Sequence, residues 1–329
     1  MGRFLVRRVT GVVVLLFVIS FVTFGLFNLV PSNPASLYCG KGCTPAKIAV
    51  IEKKLEIDKP FLVQYGRWLK AIPFGRTYGE GDAINSCPAP CFGYSFKEEV
   101  PVRDILAAGF PVTFSIAIGA FVQWIVGGVT VGVISALRRG SFLDRGLMFM
   151  TLGGYSLPSF FIGAVVLYYP IIAWGWWPIP VFVPFSENPI EWARNLLPLW
   201  IVIAILNAAL YTRITRANML ETMGEDYIRT ARAKGLTERR VIFKHGLRAA
   251  LTPIVTIAGL DLGGLLGGAI VTEQVFNFLG LGKITIKAAT DYDLPVLLGV
   301  TLLAAFFIIT ANLIVDILYA AIDPKVRLN

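Results

Sequence analysis

Arg213 to Pro253 reads RITRANMLETMGEDYIRTARAKGLTERRVIFKHGLRAALTP, and the fold turns on it. It is the longest polar interval in the second half of the chain, set between two apolar runs. Nine Lys or Arg stand against four acids, Glu221, Glu225, Asp226 and Glu238. A loop this basic beside membrane spans stays on the cytoplasmic side. It also reads as folded. Asp226 to Lys234 has no Gly or Pro and suits a helix. Gly235 follows where a left-handed C-terminal cap falls. Thr237 is placed to cap a second helix, Glu238 to Leu247. Two short helices hinged at a glycine make a rigid surface feature, suited to docking a soluble partner.

Outward from this stretch, the 329 residues are 56% hydrophobic and only 16% charged. That balance excludes an ordinary soluble domain and implies an integral membrane protein embedded in a lipid bilayer. The net charge of +9 does not point to nucleic acid. Its basic residues cluster beside apolar spans, where retention on the inner side explains them.

Six spans are expected. Arg3, Arg7 and Arg8 precede Val9 to Val30, 22 uncharged residues, about 33 Å as a helix and enough to cross the hydrocarbon core. The run is too long for the apolar part of a cleaved signal, and no small-x-small site follows. Residues 31–99 form a long polar extracytoplasmic loop, with a surface amphipathic helix from Asp58 to Leu69. Val100 to Ala108 reads as a short helix, and Gly109-Phe-Pro111 as a turn into the second span, which ends near Leu137 at Arg138 and Arg139. The third span runs from about Leu147 to Trp174, with Trp176 and Trp177 as interface anchors. The fourth covers Leu196 to about Tyr211. The fifth, Leu251 to Thr272, is rich in glycine, which lets helices approach closely in lipid. Glu273 to Leu294 is an external loop, and Pro295 to Ala321 is the sixth span. Both termini then lie in the cytoplasm. The expected organisation is 1–30 (tail and first span), 31–99 (outer loop) and 100–329 (a five-helix core with the loop 213–250).

All four cysteines, Cys39, Cys43, Cys87 and Cys91, lie in the outer loop, which favours disulfides. Two bridges allow three pairings. A zinc site and unpaired thiols are the competing readings, and neither the spacing nor a nearby His favours zinc. No other metal site is expected.

Several segments resemble one family. Asp226 to Leu236 (DYIRTARAKGL) and His245 to Pro253 (HGLRAALTP) look like the cytoplasmic "EAA" loop of ABC-importer permeases, specifically the first, or B-type, permease of the dipeptide, oligopeptide and nickel class. Gly267 to Phe276, Gly280-Leu-Gly282, Asn312 to Pro324 and Phe110 to Thr113 resemble the same class, in the same order. Arg229-Thr-Ala231 stands where the general motif has Glu-Ala-Ala. Leu279 stands where a Pro often precedes the external Gly-Leu-Gly. The cysteine-bearing loop has no counterpart.

The resemblance implies an all-α, six-span type I ABC importer permease in a bacterial inner membrane. It implies a half-translocator that pairs with a second, homologous permease as a heterodimer. Two cytoplasmic ATPase subunits and an extracytoplasmic substrate-binding protein complete the assembly. ATP and Mg2+ would be bound by the ATPases, this chain holding no cofactor and catalysing nothing. Peptide is the expected cargo, nickel or another small solute the alternative. The sequence agrees on the division of labour. Its nearest approach to a phosphate loop ends at Gly282-Lys283, but Ile284 stands where Ser or Thr is required and Asn277 where the first Gly is required.

The resemblance places coupling to the ATPases on Asp226, Tyr227, Arg229, Thr230, Ala231, Ala233, Lys234, Gly235, Leu236 and His245. The bland reading is a solvated basic loop that only sets topology. Asp261 falls near the bilayer centre, where a carboxylate should face protein or a wet cavity. It is a candidate for the substrate pathway, with a buried structural pair as the alternative. Gln123, Asn207 and Glu273 are further pathway candidates; for the first two, inter-helix hydrogen bonding competes. Two rivals come from other classes. A gradient-driven transporter would show inverted repeats and broken helices at matching positions. A membrane-embedded enzyme would need clustered titratable groups within the spans.

Overall fold

The computed structural model of the chain describes residues 2–29, 44–46, 48–49, 52, 59–78 and 85–322. Cys39, Cys43, Asp58 and the tail from Asp323 lie outside them. Among the described residues the helices with defined ends are α1 (Gly2–Leu29), α2 (Phe61–Phe74), α3 (Val102–Leu137), α4 (Phe142–Ser156), α5 (Ser159–Val166), α6 (Pro189–Gly224), α7 (Asp226–Ala233), α8 (Glu238–Arg240), α9 (Arg248–Leu266), α10 (Ile270–Val275), α11 (Leu281–Thr290) and α12 (Leu294–Ile322). π-helical turns extend α5 over Leu167–Ala173 and join α8 to α9 over Val241–Leu247. Among the described residues five helices are long and apolar enough to cross a membrane, and a bent pair makes a sixth if counted as one span.

The chain divides into two compact units. The first holds α1, α2, the start of α3, α11 and most of α12. Here α2 lies on α1 through an aromatic cluster of Phe24, Tyr65 and Trp68, joined by Leu298 and Leu302. The Tyr65 and Ser20 hydroxyls share a hydrogen bond of 2.7 Å. Trp68 Nε1 donates to the Phe92 carbonyl at 2.9 Å. Between α2 and α3 run two small antiparallel hairpins, absent from an all-helical reading. β1 (Arg76–Tyr78) pairs with β2 (Asn85–Cys87), and β3 (Tyr94–Ser95) with β4 (Val100–Pro101). A disulfide joins Cys87 to Cys91, buried with Ala71, Tyr78 and Tyr94. Ser95 Oγ donates to the Asp293 carboxylate, and Lys287 pairs with Glu98 at 2.6 Å.

The second unit holds the rest of α3, α4 to α8, most of α9 and α10, and the end of α12. Its α3–α6–α9 core gathers Val133, Ala136, Met219 and Ala250.

Four expectations are corrected. First, Gly109-Phe-Pro111 is no turn, because α3 runs unbroken from Val102 to Leu137. Pro111 forfeits a helical hydrogen bond, but Val102 and Leu106 packed against Leu281, Ile284 and Val300 hold the segment helical. Gly109 serves clearance instead: a Cβ there would lie 2.4 Å from Ile284 Cδ1. Second, the third span is broken. The Phe142–Gly154 and Ser159–Ala173 helices meet at 98°. Pro158 lacks an N–H and pushes Leu157 into extended backbone, ψ 136°.

Third, the fourth span is the middle of a longer helix. Asn188 caps α6 by accepting from the amides of Ile190 and Glu191, Pro189 occupies the first turn, and the helix continues for 36 residues to Gly224. Fourth, Glu238 to Leu247 is not a separate short helix. Thr237 holds the N-cap position without a side-chain capping bond, and the chain runs through the π-turns into α9. The glycine-rich end of that span stops at Leu266, with Gly268 at φ 138°. The expected external loop after it holds α11, with α10 just before.

Candidate functional site

α6 ends at Gly224, and Glu225 turns extended at φ −67°, ψ 149°. α7 then begins with Asp226 in its first turn, where a negative charge suits the helix dipole. Thr230 Oγ1 donates to the Asp226 carbonyl at 2.9 Å. The helix closes in a Schellman motif: Gly235 N–H donates to the Arg232 carbonyl at 2.9 Å, and Leu236 N–H to the Ala231 carbonyl at 3.4 Å. Gly235 sits at φ 75° with open space where a Cβ would be, so backbone conformation rather than crowding selects glycine.

The knob has two faces. Ile228 and Ala231 turn inward with Val241, and Met223 and Leu236 pack against them. Asp226, Tyr227, Arg229, Thr230, Ala233, Lys234 and Gly235 are exposed. His245 is half-buried in the π-helical stretch. Arg232 bridges α7 to α8, Nη2 to Glu238 Oε1 at 2.6 Å and Nε to Oε2 at 3.1 Å. Those hydrogen bonds raise the Arg232 pKa further. Partial burial, then the Glu225 charge, raises that of the Tyr227 hydroxyl. The Arg229–Asp226 pair, 3.4 Å apart and largely exposed, contributes little.

Of the residues that seat the knob, Ala231 and Leu236 are among those named from sequence, whereas Ile228, Val241 and Met223 are not. Ile228 and Val241 are fully buried. Their signal was an apolar residue alone on an otherwise polar helix, and a valine just past the next helix start.

Asp261, half-buried on α9, has Tyr211 as its one hydrogen-bond partner among the described residues, Tyr211 Oη donating to Asp261 Oδ2 at 2.7 Å. Tyr211 is fully buried, and its ring lies 6.3 Å from that of buried Trp124. Gln123, beside Trp124, is half-buried. Asn207 spends its amide on its own helix, Nδ2 donating to the Ile203 carbonyl at 2.9 Å, rather than on a neighbouring one. Glu273 is fully buried, in the first turn of the six-residue α10. The disulfide takes Cys87 and Cys91 out of any thiolate metal site. Among the described residues no group of three His, Cys, Asp or Glu is placed to hold a metal.

Comparison with known proteins adds the following. Residues 128–328 match the family described as binding-protein-dependent transport system inner membrane component, and residues 1–117 match its N-terminal component. A putative peptide transport system permease protein of Brucella abortus (strain 2308) is 35% identical over 328 residues, covering 99% of each chain. The dipeptide transport system permease protein DppB of Escherichia coli (strain K12) is 35% identical over 354 aligned positions, again covering 99% of each. Among solved structures, an inward-facing methionine ABC transporter, MetNI, aligns with TM-score 0.48 and 18% identity, over 67% of this chain and 97% of that one.

Proposed function

We propose, because this chain belongs to the family of binding-protein-dependent transport system inner membrane components, that it is the translocating subunit of an ATP-driven peptide importer. Full-length similarity to peptide and dipeptide permeases carries the choice of cargo. The two breaks, near Pro158 and at Gly268, would also suit a gradient-driven transporter. The family match outweighs them, since it spans both.

The assembly we propose pairs this chain with a homologous permease, two cytoplasmic ATPase subunits that bind ATP and Mg2+, and an extracytoplasmic binding protein. Both termini and α7 lie in the cytoplasm, the side that the nine basic residues of 213–253 favour. α7 is the coupling element. The observation that supports this is its construction: an exposed, capped helix seated on α6 and on the π-helical stretch that leads into α9. A loop that served only to set topology needs no such seat. When the ATPases close on ATP, α7 moves with them and the bundle switches access. Swinging a gate from almost closed to almost open takes about 5.5 kcal/mol of bias. Asp261, held by Tyr211, meets the ammonium group of the passing peptide.

The test is reconstitution of the complex in proteoliposomes. Uptake of labelled dipeptide should require this chain, the ATPases and ATP together. Uphill uptake by this chain with no ATPase present would sink the proposal.

A further inference from the structure

A second polar cluster, outside α7 and away from the pathway candidates, is more completely paired than either. Asp144 on α4 has a side chain only 5% exposed. Its carboxylate accepts from Arg216 Nε at 2.8 Å and Arg216 Nη2 at 2.9 Å, from the Gly140 amide at 2.9 Å, and from Ser135 Oγ. Its own amide donates to Ser141 Oγ, capping α4. The four donors to the carboxylate come from the last turn of α3, the α3–α4 turn and α6. Each oxygen takes two, so the position and the plane of the group are both fixed.

The cluster is joined to α7 by packed side chains. Arg216 precedes Met219 and Met223 along α6 at near-helical spacing. Met219 is fully buried against Val133 and Ala136 of α3, with Met223 packed on the same cluster. Met223 packs as well on the Ile228, Ala231 and Val241 cluster that seats α7. A buried ion pair is poor value as a source of stability. What a two-pronged, four-donor arrangement supplies, and apolar packing does not, is a fixed angle between elements.

We infer that Asp144 and Arg216 are positioning residues for transport: they clamp the α3–α4 turn to α6, so that a displacement of α7 moves α3, α4 and α6 as one body. The inference rests on reading α7 as the coupling element. Without the clamp, α7 still meets the ATPase and ATP is still hydrolysed, but the stroke is lost as slippage between α6 and the α3–α4 turn.

The experiment uses the assembled complex in proteoliposomes. Binding-protein-stimulated ATP hydrolysis and dipeptide uptake are measured for Asp144→Asn, Arg216→Lys and the exchange Asp144→Arg with Arg216→Asp. The further substitution Ala233→Cys, cross-linked to the ATPase subunit, reports separately on α7. In assembled Asp144→Asn and Arg216→Lys complexes, uptake per ATP should fall about tenfold with the cross-link intact. The exchange should recover part of the loss. Unchanged uptake per ATP in both single variants would overturn the clamp and leave α7 standing. A missing cross-link in the Ala233→Cys complex that carries no other substitution would overturn α7 itself, and the clamp with it. Where the single variants do not assemble, spin labels at the exposed positions 139 and 217 of an otherwise wild-type complex decide. A constant separation through the ATP cycle supports the clamp, and a changing one overturns it.

Discussion

Tyr211 on α6 donates its hydroxyl hydrogen to Asp261 on α9 across 2.7 Å, and this single bond orients the carboxylate. Among the described residues the other carboxylate oxygen has no hydrogen-bond partner. Asp261→Asn keeps the shape and removes the charge. It should raise the KM for dipeptides with a free amino terminus about tenfold, the worth of one hydrogen bond to a charged group. N-acetylated peptides should be unaffected, and stimulated ATP hydrolysis unchanged. Equal shifts for both kinds of peptide would assign Asp261 to helix packing alone.

Gly235 closes α7 at φ 75°. A valine there must adopt a left-handed conformation, at about 1–2 kcal/mol. Gly235→Val should insert in the membrane at normal levels and lose protection from amide exchange at the end of α7. ATP hydrolysis should continue while uptake falls severalfold. Gly235→Asn, which tolerates that conformation better, should lie between. Equal uptake by all three would remove α7 from the mechanism.

Asp293 titrates high. Burial raises its carboxyl pKa, against a smaller lowering by the Ser95 hydroxyl; Lys97 lowers it and Glu98 raises it through their charges. The folded form therefore holds its proton more tightly than the unfolded one. Its contribution to stability is fully present below the ordinary carboxylate pKa and is lost as pH rises through the elevated folded value. Protection factors of the amides around Ser95 and α11, corrected for the intrinsic pH dependence of exchange, should be higher in mild acid than at neutral pH, and Asp293→Asn should flatten that dependence. A dependence of opposite sign would show the carboxylate, not the acid, to be the favoured partner of Ser95.

The Cys87–Cys91 bridge closes a short loop, sequence separation 4. The chain-entropy account assigns such a loop about 2 kcal/mol. Replacing both cysteines by serine should destabilise the β1–β2 hairpin and expose Tyr78 and Tyr94 to solvent, read by tyrosine fluorescence quenching. Quenching identical to wild type would mean that the surrounding aromatic packing suffices.

The spans, the basic loop and the helix-glycine-helix pattern were legible because each is written locally, in hydropathy, charge and cap residues. What escaped was set by tertiary contact. Pro111 reads as a turn, yet packing of Val102 and Leu106 keeps it in a helix. Pro158 reads as one proline in an apolar run, yet it breaks the span. The boundary between Leu247 and α9 was drawn where polarity ends, although the backbone continues through it. At the site, the exposed residues and the anchors Ala231 and Leu236 were legible, and the anchors Ile228 and Val241 were not. Arg216 and Asp144, 72 positions apart, show no local sign of pairing. The two hairpins were missed because strands of two or three residues are too short to display alternation.

The length of α6 has a mechanical corollary. Its 36 residues make a rod of about 54 Å, well beyond the roughly 30 Å of hydrocarbon it needs to cross. Such a rod is a lever arm. A tilt of about 10° around its Pro189 end would sweep Gly224 through about 9 Å, so a small angular change near one end becomes a stroke of atomic-layer size at the other.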